Sequence, residues 1–332
     1  MMVRTGSSRP GQPDWMLHGA DWPNRSASRF VTFDGVRWHI QDAGTGPLVL
    51  LLHGTGAATH SWDGLFQNLA RDHRVIALDL PGHGFTDHPG MAGLSMRAMA
   101  RSIGRLLRHM RLHPELTVGN SAGAALLVRM ALDRLMAPRA IVSINGALLP
   151  FPGVGRVLFP PLARLLYLNP FAPQFLAWQG RDRERVAKLL KGTGSTLPEQ
   201  QIDRYAMLIS HPGHVAGTIG MMAQWDLEGL ERDLPQLDVP LLLIAGQSDR
   251  TVSPADAETI ARRVRSAEVL RLPDLGHLAH EEAPETVAVP IRSFFGGALG
   301  QPPHLAPPLG AAPRREPEIA VATSGETHHG RP

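Results

Sequence analysis

The stretch Leu116-Thr-Val-Gly-Asn-Ser-Ala-Gly123 decides the fold of this 332-residue chain. A short apolar run leads into the pattern G-x-S-x-G, and a longer apolar run, Ala124 to Leu132, follows it. Small residues two positions before and two positions after Ser121 permit a strained turn from a strand into a helix, and such a turn exposes the serine hydroxyl. The stretch therefore predicts a strand, a tight turn carrying a nucleophilic serine, and a helix.

Other short runs predict the remaining strands of a single sheet. Arg29–Phe33 and Val36–Ile40 alternate as half-buried strands do, and the other runs are continuously apolar, as in strands buried on both faces. These continuous runs occupy residues 47–53, 75–80, 140–144, 240–246 and 267–272. Between strands, Met96, Met99 and Ile103 recur at the spacing of a helix. Strands alternating with helices predict an α/β protein with a mostly parallel, doubly wound sheet.

The chain divides into four parts by composition and pattern. Residues 1–28 form an irregular N-terminal segment, and residues 29–146 together with 237–297 form the α/β core. Residues 147–236 lack a clear strand pattern, which predicts a helical cap inserted between two strands. Residues 298–332 are rich in Pro, Ala and Gly and are predicted to be disordered.

The first part of the predicted cap is unusually apolar. Between Asn145 and Arg181 the charged residues are Arg156 and Arg164. Two interpretations stay open: a helical lid that packs on the core, or a surface that holds a large apolar substrate or rests on a membrane. The many prolines of this region argue against one long amphipathic helix.

Composition excludes several classes of function. The chain has no cysteine, so disulfides, iron–sulfur ligation and a cysteine nucleophile are excluded. The net charge is +3 without a dense run of Lys or Arg, and the two lysines are Lys188 and Lys191, so we expect no nucleic-acid binding. No apolar window of signal-peptide or membrane-span length appears, which predicts a cytoplasmic protein without a membrane span, although peripheral membrane contact through the cap stays open.

A nucleophilic serine needs a base, and the base needs a carboxylate that orients it. In a fold with this serine turn, the order along the chain is Ser, then Asp or Glu, then His, with the last two at the ends of late strands. Asp249 and His277 occupy those places, which makes Ser121, Asp249 and His277 the predicted catalytic residues. Asp274 and His280 are the nearest rivals; the first is typical of a turn and the second of a structural histidine.

The negative oxygen of an acyl-transfer intermediate needs two backbone N–H donors. Ala122, directly after the serine, is predicted to supply one, and Thr55 in the glycine-rich turn after residues 47–53 the other, with Gly56 as the alternative. The remaining residues of these two turns are predicted to contact the substrate: His53, Gly54, Gly56 and Asn120.

No cofactor or metal site is predicted. The pattern H-E-x-x-H is absent, and Pro and Gly separate His211 from His214, which spoils their presentation on one helix face. The glycine-rich turn lacks the lysine and the spacing of phosphate-binding loops.

Four segments, together with the strand that ends at Asp249, resemble the α/β-hydrolase superfamily over residues 29–297. They are HGTGAATHSW at 53–62, DLPGHGFTD at 79–87, GNSAGA at 119–124 and GHLAHEE at 276–282. A second set of segments resembles the magnesium-chelatase accessory hydrolases of bacteriochlorophyll biosynthesis: Asp21–Arg25, Ser28–Val31, Arg37–Gln41, Ser143–Phe151, Phe159–Leu166, Pro212–Gly217 and Trp225–Leu227. This resemblance implies a role near the insertion of Mg²⁺ into protoporphyrin IX, with a small apolar substrate such as a tetrapyrrole and magnesium chelatase as partner.

Three functions follow from these observations. The first is a serine hydrolase that acts on an ester or related carbonyl compound, and the predicted catalytic residues favour it. The second is a non-catalytic porphyrin-binding accessory of magnesium chelatase. The third is a meta-cleavage-type C–C bond hydrolase, which shares the G-N-S turn, but the Pro-Gly step of those enzymes is missing from HGTGAA.

Overall fold

One eight-stranded sheet organises the chain. The computed structural model describes residues 11–150, 165–166 and 168–300. The strands are β1 (Ser28–Phe33), β2 (Val36–Ala43), β3 (Leu48–Leu52), β4 (Arg74–Leu78), β5 (Leu116–Asn120), β6 (Ala140–Ile144), β7 (Leu241–Gly246) and β8 (Ala267–Leu272). Their order is β1-β2-β4-β3-β5-β6-β7-β8, and every neighbouring pair is parallel except the two pairs that contain β2. The predicted fold class is therefore confirmed.

Helices cover both faces of the sheet. In the described residues they are α1 (Trp15–His18), α2 (Asp63–Leu69), α3 (Met96–His109), α4 (Ala122–Leu132), α5 (Ala172–Gly180), α6 (Arg183–Gly192), α7 (Glu199–Ile209), α8 (Pro212–Met222), α9 (Leu227–Asp233), α10 (Ala255–Ala261), α11 (Ala279–Glu282) and α12 (Pro284–Leu299). Alternate residues of β3 face opposite sides: Leu50 packs with α3 and α4, and Leu51 packs with α2 and α12. Continuous apolar runs thus reflect burial on both faces.

The helices α5 to α9 lie between β6 and β7, where the cap is predicted. Part of the predicted apolar surface, residues 151–164 and 167, lies outside the described residues. In the part that is described, α6 and α7 pack on the core through Val186, Leu190 and Tyr205, which cluster with Ala57 and Leu278. Several large apolar side chains of the first described cap residues are exposed: Leu165, Leu168, Phe171, Phe175 and Trp178.

Packing begins earlier in the chain than the predicted start at residue 29. Helix α1 forms within the segment predicted to be irregular, and Trp22 is buried, with its indole N–H donating to Thr59 Oγ1 at 3.0 Å. A tryptophan that follows no apolar periodicity gives no local signal for a strand or a helix, so the sequence pattern misses this contact. Residues 1–10, and residues 301–332 of the predicted disordered tail, lie outside the described part.

Candidate active site

Ser121 sits at a strained turn between β5 and α4. Its backbone has φ 51° and ψ −117°, a region that residues with a side chain rarely adopt. The turn is possible because its flanking glycines lack Cβ atoms: a Cβ at Gly119 would lie 2.4 Å from the backbone nitrogen of Ala124, and one at Gly123 would lie 1.9 Å from the carbonyl oxygen of Leu52. The predicted strand, turn and helix are therefore present with Ser121 at the turn.

The structure brings Asp249 and His277 together at the carboxyl end of β7 and β8. Nδ1 of His277 donates to Oδ2 of Asp249 at 2.8 Å, and both residues are buried. Oδ1 of Asp249 accepts the backbone N–H groups of Thr251 and Val252 at 2.7 and 3.0 Å. Because Nδ1 carries the proton that it donates to the carboxylate, Nε2 of the imidazole is unprotonated and free to act as a base.

The rival residues have other surroundings. Asp274 is exposed in a turn with φ 63°, as expected for turn chemistry. His280 is buried, and its Nε2 lies 2.9 Å from Oγ of Ser61. Asp249 is thus the carboxylate that contacts His277.

The structure shows no hydrogen bond between Ser121 Oγ and His277 within the described residues. The two residues are linked through their neighbours, because Nδ2 of Asn120 donates to the carbonyl oxygen of His277 at 3.1 Å. Hydrogen bonds between a nucleophile and its base are often long until substrate binds, so the arrangement is compatible with base catalysis.

The glycine-rich turn His53 to Gly56 lies against the serine turn. A Cβ at Gly54 would lie 2.8 Å from Oδ1 of Asn120 and 3.1 Å from Cβ of Ser121, so only glycine leaves the space beside the hydroxyl open. Ala122 is the first residue of α4, and its N–H has no acceptor within the helix. The two predicted donors, Ala122 and Thr55, therefore belong to turns that meet at Ser121.

A cap helix fixes the far end of the glycine-rich turn. Nε2 of His214 on α8 donates to the carbonyl oxygen of Gly56 at 3.1 Å, and its Nδ1 accepts the N–H of Gly84 at 3.0 Å. Burial lowers the pKa of His214 to about 4, so the ring is neutral near pH 7 and can donate at one nitrogen while it accepts at the other.

Two residues predicted to contact substrate have their polar atoms engaged within the protein. His53 is fully buried; its Nε2 accepts the N–H of Leu80 at 2.9 Å, and its Nδ1 lies 2.8 Å from the carbonyl oxygen of Gly54. Nδ2 of Asn120 donates to the carbonyl oxygens of Ile144 and His277, both at 3.1 Å. These two side chains are thus placed to hold the site together from within.

Asn145 is a residue that the sequence analysis missed. It follows β6 with φ 47°, and its Nδ2 donates to the carbonyl oxygens of Gly276 and His277 at 2.8 and 3.0 Å. Its Oδ1 accepts the N–H of Gly246 at 2.7 Å. A polar residue directly after a buried strand is the signal that could have identified it, since strand ends of this type form the site edge in open α/β sheets.

A second polar cluster lies just beyond His277. Oε1 of Glu281 accepts hydrogen bonds from the hydroxyls of Ser61 and Tyr205, and all three side chains are buried. Burial raises the pKa of Glu281 to about 7. Because Tyr205 belongs to α7, the cluster joins the cap to the core next to the predicted base.

The described residues contain no group of three or more His, Asp or Glu side chains placed to hold a metal ion. In the same part of the chain, no helix combines the length and the apolar character needed to cross a membrane.

Comparison with known proteins identifies the family of the chain. A family model described as the alpha/beta hydrolase fold matches residues 47–284. The chain is 39% identical over 280 residues to the magnesium-chelatase 30 kDa subunit of Rhodobacter capsulatus. The aligned region covers 84% of this chain and 98% of that protein. It is 28% identical over 265 residues to the pyrrolizixenacetamide deacetylase of Xenorhabdus hominickii, with coverage of 76% and 92%.

A solved alpha/beta hydrolase fold protein from Burkholderia ambifaria superimposes with a TM-score of 0.69 at 24% identity, covering 80% of this chain and 97% of that one. At that identity the likeness concerns the fold alone. The family model and the similarity to the chelatase subunit extend over most of the chain. The chain therefore belongs to the α/β-hydrolase family and is related to the magnesium-chelatase accessory proteins.

Proposed function

We propose that this protein is a serine hydrolase that acts on an ester or related carbonyl compound. Ser121 is the nucleophile, His277 the base and Asp249 the carboxylate that orients the base. The observation that carries the proposal is the strained backbone of Ser121 at the same sheet edge as the buried Asp249–His277 hydrogen bond. Strain of this kind costs about 1–3 kcal/mol and persists where function requires it.

The geometry supports a two-step acyl transfer. Nε2 of His277 takes the proton of Ser121 as the serine oxygen attacks the carbonyl carbon, and the imidazolium then gives that proton to the leaving alcohol as the ester bond breaks. Water, deprotonated by His277, hydrolyses the acyl-serine and regenerates the hydroxyl. Asp249 holds the ring in the tautomer with a free Nε2 and stabilises the imidazolium.

The backbone N–H groups of Ala122 and Thr55 are assigned to the negative oxygen of the intermediate. Each such donor is worth roughly 3 kcal/mol of transition-state stabilisation. Gly54 and Gly56 give the substrate access beside Ser121, while His53 and Asn120 act by holding the turns in place.

We further propose that the reaction serves the magnesium-chelatase step of bacteriochlorophyll biosynthesis, with a tetrapyrrole or similar apolar compound as substrate and the chelatase as partner. The similarity to a chelatase subunit supports this assignment, and the exposed apolar residues of α5 suit an apolar ligand or partner. The name of that relative also favours a second function, a porphyrin-binding accessory without catalysis.

A fluorophosphonate probe tests the catalytic proposal, because it reacts covalently with an activated serine. We expect labelling of the wild-type protein at Ser121 and none in Ser121→Ala. As a control, Ser266→Ala removes a serine that directly precedes β8, at the end of that strand opposite to the His277 loop, and should be labelled like wild type. Equal labelling of Ser121→Ala and wild type would refute the assignment of the nucleophile.

Complementation separates the two functions. In the host, deletion of the gene should lower bacteriochlorophyll and raise protoporphyrin IX or an early magnesium porphyrin. A hydrolase requires that Ser121→Ala, present at normal level, fails to restore the pigment. A porphyrin-binding accessory requires that the same variant restores it nearly completely, since binding does not depend on one hydroxyl.

A further inference from the structure

The peptide bond between His277 and Leu278 is held at both of its polar ends. Its carbonyl oxygen accepts hydrogen bonds from Nδ2 of Asn120 at 3.1 Å and from Nδ2 of Asn145 at 3.0 Å. Its N–H group donates to Oγ of Ser195 at 2.8 Å. Asn120, Asn145 and Ser195 are only 1%, 5% and 2% exposed, so water competes little for these hydrogen bonds.

The two ends are held by different parts of the protein. Asn120 ends β5 and Asn145 follows β6, so the carbonyl oxygen is fixed by the core. Ser195 belongs to the turn 193–196 that joins α6 to α7, so the N–H group is fixed by the cap. The backbone of the proposed base is thus held by the core at its carbonyl oxygen and by the cap turn at the following N–H group.

The turn 193–196 also contacts the loop of the proposed acid. The carbonyl oxygen of Thr193 accepts the N–H of Arg250, the residue after Asp249, at 3.1 Å. Gly194 has φ 88°, and a Cβ on it would lie 1.8 Å from the carbonyl oxygen of Ser248. One cap turn therefore contacts both loops that carry the Asp249–His277 pair.

The same turn is tied to the base loop a second time. Oε2 of Glu282 accepts the N–H of Thr196 at 3.0 Å, and Oε1 of the same carboxylate accepts the N–H of Gly276 at 2.8 Å. A Cβ on Gly276 would lie 2.5 Å from the backbone nitrogen of Ser195, so turn and loop are in direct backbone contact. The turn 193–196 is therefore packed closely against the loop that carries His277.

We infer that Ser195 is a positioning residue for His277, and that the turn 193–196 couples the position of the cap to the Asp249–His277 pair. The inference rests on the proposed function, because it gives His277 the role of base. A catalytic group must be held within about 0.5 Å of its working position, and a displacement of about 1 Å costs on the order of a hundredfold in rate. A ligand that moves the cap therefore changes the reactivity of Ser121.

Three variants at one position test this inference. Ser195→Ala removes the acceptor, Ser195→Cys keeps most of the volume but accepts poorly, and Ser195→Thr keeps the hydroxyl. The matched control is Ser266→Ala, because Oγ of Ser266 also makes one hydrogen bond to the backbone, which it donates to the carbonyl oxygen of Val239 at 2.8 Å in a partly buried position. Urea unfolding confirms that each variant is folded at the assay temperature.

The first measurement is the rate of fluorophosphonate labelling as a function of pH. We expect the rate to fall about tenfold in Ser195→Ala and Ser195→Cys, and to return to within about threefold of wild type in Ser195→Thr. Ser266→Ala should react like wild type. If Ser195→Ala, folded, reacts as fast as Ser266→Ala, the inference is wrong.

The second measurement does not depend on catalysis. The proton on Nδ1 of His277 is observed by nitrogen-edited NMR, and its exchange with water should be about tenfold faster in Ser195→Ala and Ser195→Cys than in wild type. Unchanged exchange would overturn the positioning role. If exchange is faster in Ser195→Ala and Ser195→Cys but the wild-type protein is not labelled by the probe, the proposed hydrolase is refuted. The coupling of the cap to His277 then stays in place.

Discussion

Replacing Glu281 by Gln should abolish one contribution to the pH dependence of stability. The carboxyl group is fully buried, accepts from Ser61 and Tyr205 through Oε1, and has no hydrogen-bond partner at Oε2 among the described residues. Gln has nearly the same shape and can accept the same two hydrogen bonds, but it carries no charge at any pH. The substitution therefore isolates the cost of ionising this buried site.

The magnitude follows from the pKa of about 7 in the folded protein against 4.5 for an exposed Glu. Below pH 4.5 the group is protonated in both states and costs nothing. As the pH rises from 4.5 to 7, the unfolded chain loses the proton first and gains stability, so the folded state is penalised. A difference of about 2.5 pKa units corresponds to about 3 kcal/mol, reached above pH 7.

Urea unfolding at pH 5 and pH 8.5, followed by tryptophan fluorescence, measures this difference. The unfolding free energy of Glu281→Gln minus that of wild type should become more positive by roughly 2–3 kcal/mol between the two pH values. The amide nitrogen left without a partner shifts both values equally and does not affect the change. Glu268→Gln, at an exposed position of β8, should show no such change. Parallel pH curves for Glu281→Gln and wild type would refute the reasoning.

Further predictions concern the site and its turn. Asp249→Asn should slow fluorophosphonate labelling by about 10⁴-fold, because the base loses its tautomer, whereas Asp274→Asn should change the rate less than twofold; the opposite order would reassign the acid. Gly123→Ala should lower the free energy of unfolding by several kcal/mol, since its Cβ would lie 1.9 Å from a carbonyl oxygen of β3. Gly297→Ala, with open space, is the control in the same urea titration. Ser121→Gly should be about 1 kcal/mol more stable than Ser121→Ala, because glycine adopts a φ of 51° without strain; equal stabilities would show an unstrained turn.

The sheet could be predicted because each of its strands is a local pattern. The eight predicted runs correspond to the eight strands, and the main disagreement is at the end of β2, which was predicted to end at Ile40 and extends to Ala43. Gln41 and Asp42 continue the strand because they pair with Ala77 and Ile76 of β4. That pairing depends on a distant segment, so alternation within the sequence cannot reveal it.

The proposed catalytic residues were found from their spacing and order, while the residues that hold them were not. Asn145 and Ser195 act on a peptide bond that lies 132 and 83 residues further along the chain. His53 and Asn120 are predicted to contact substrate, a role that remains untested. Their hydrogen-bond partners Leu80 and His277 lie 27 and 157 residues further along the chain, beyond the reach of a local pattern. Residue type indicated that these positions are polar and close to the site, but only the folded chain shows which group they contact.

Helix α6 makes the cap accessible to selective chemical labelling. Both lysines of the chain, Lys188 and Lys191, lie on this helix, which leads directly into the turn 193–196. An amine-reactive fluorophore on either side chain would therefore sit beside the segment that contacts the Asp249 and His277 loops. Because the chain has no cysteine, a single introduced thiol at exposed Glu268 would accept a second dye without competition. The separation between cap and core could then be followed by energy transfer while ligands are added.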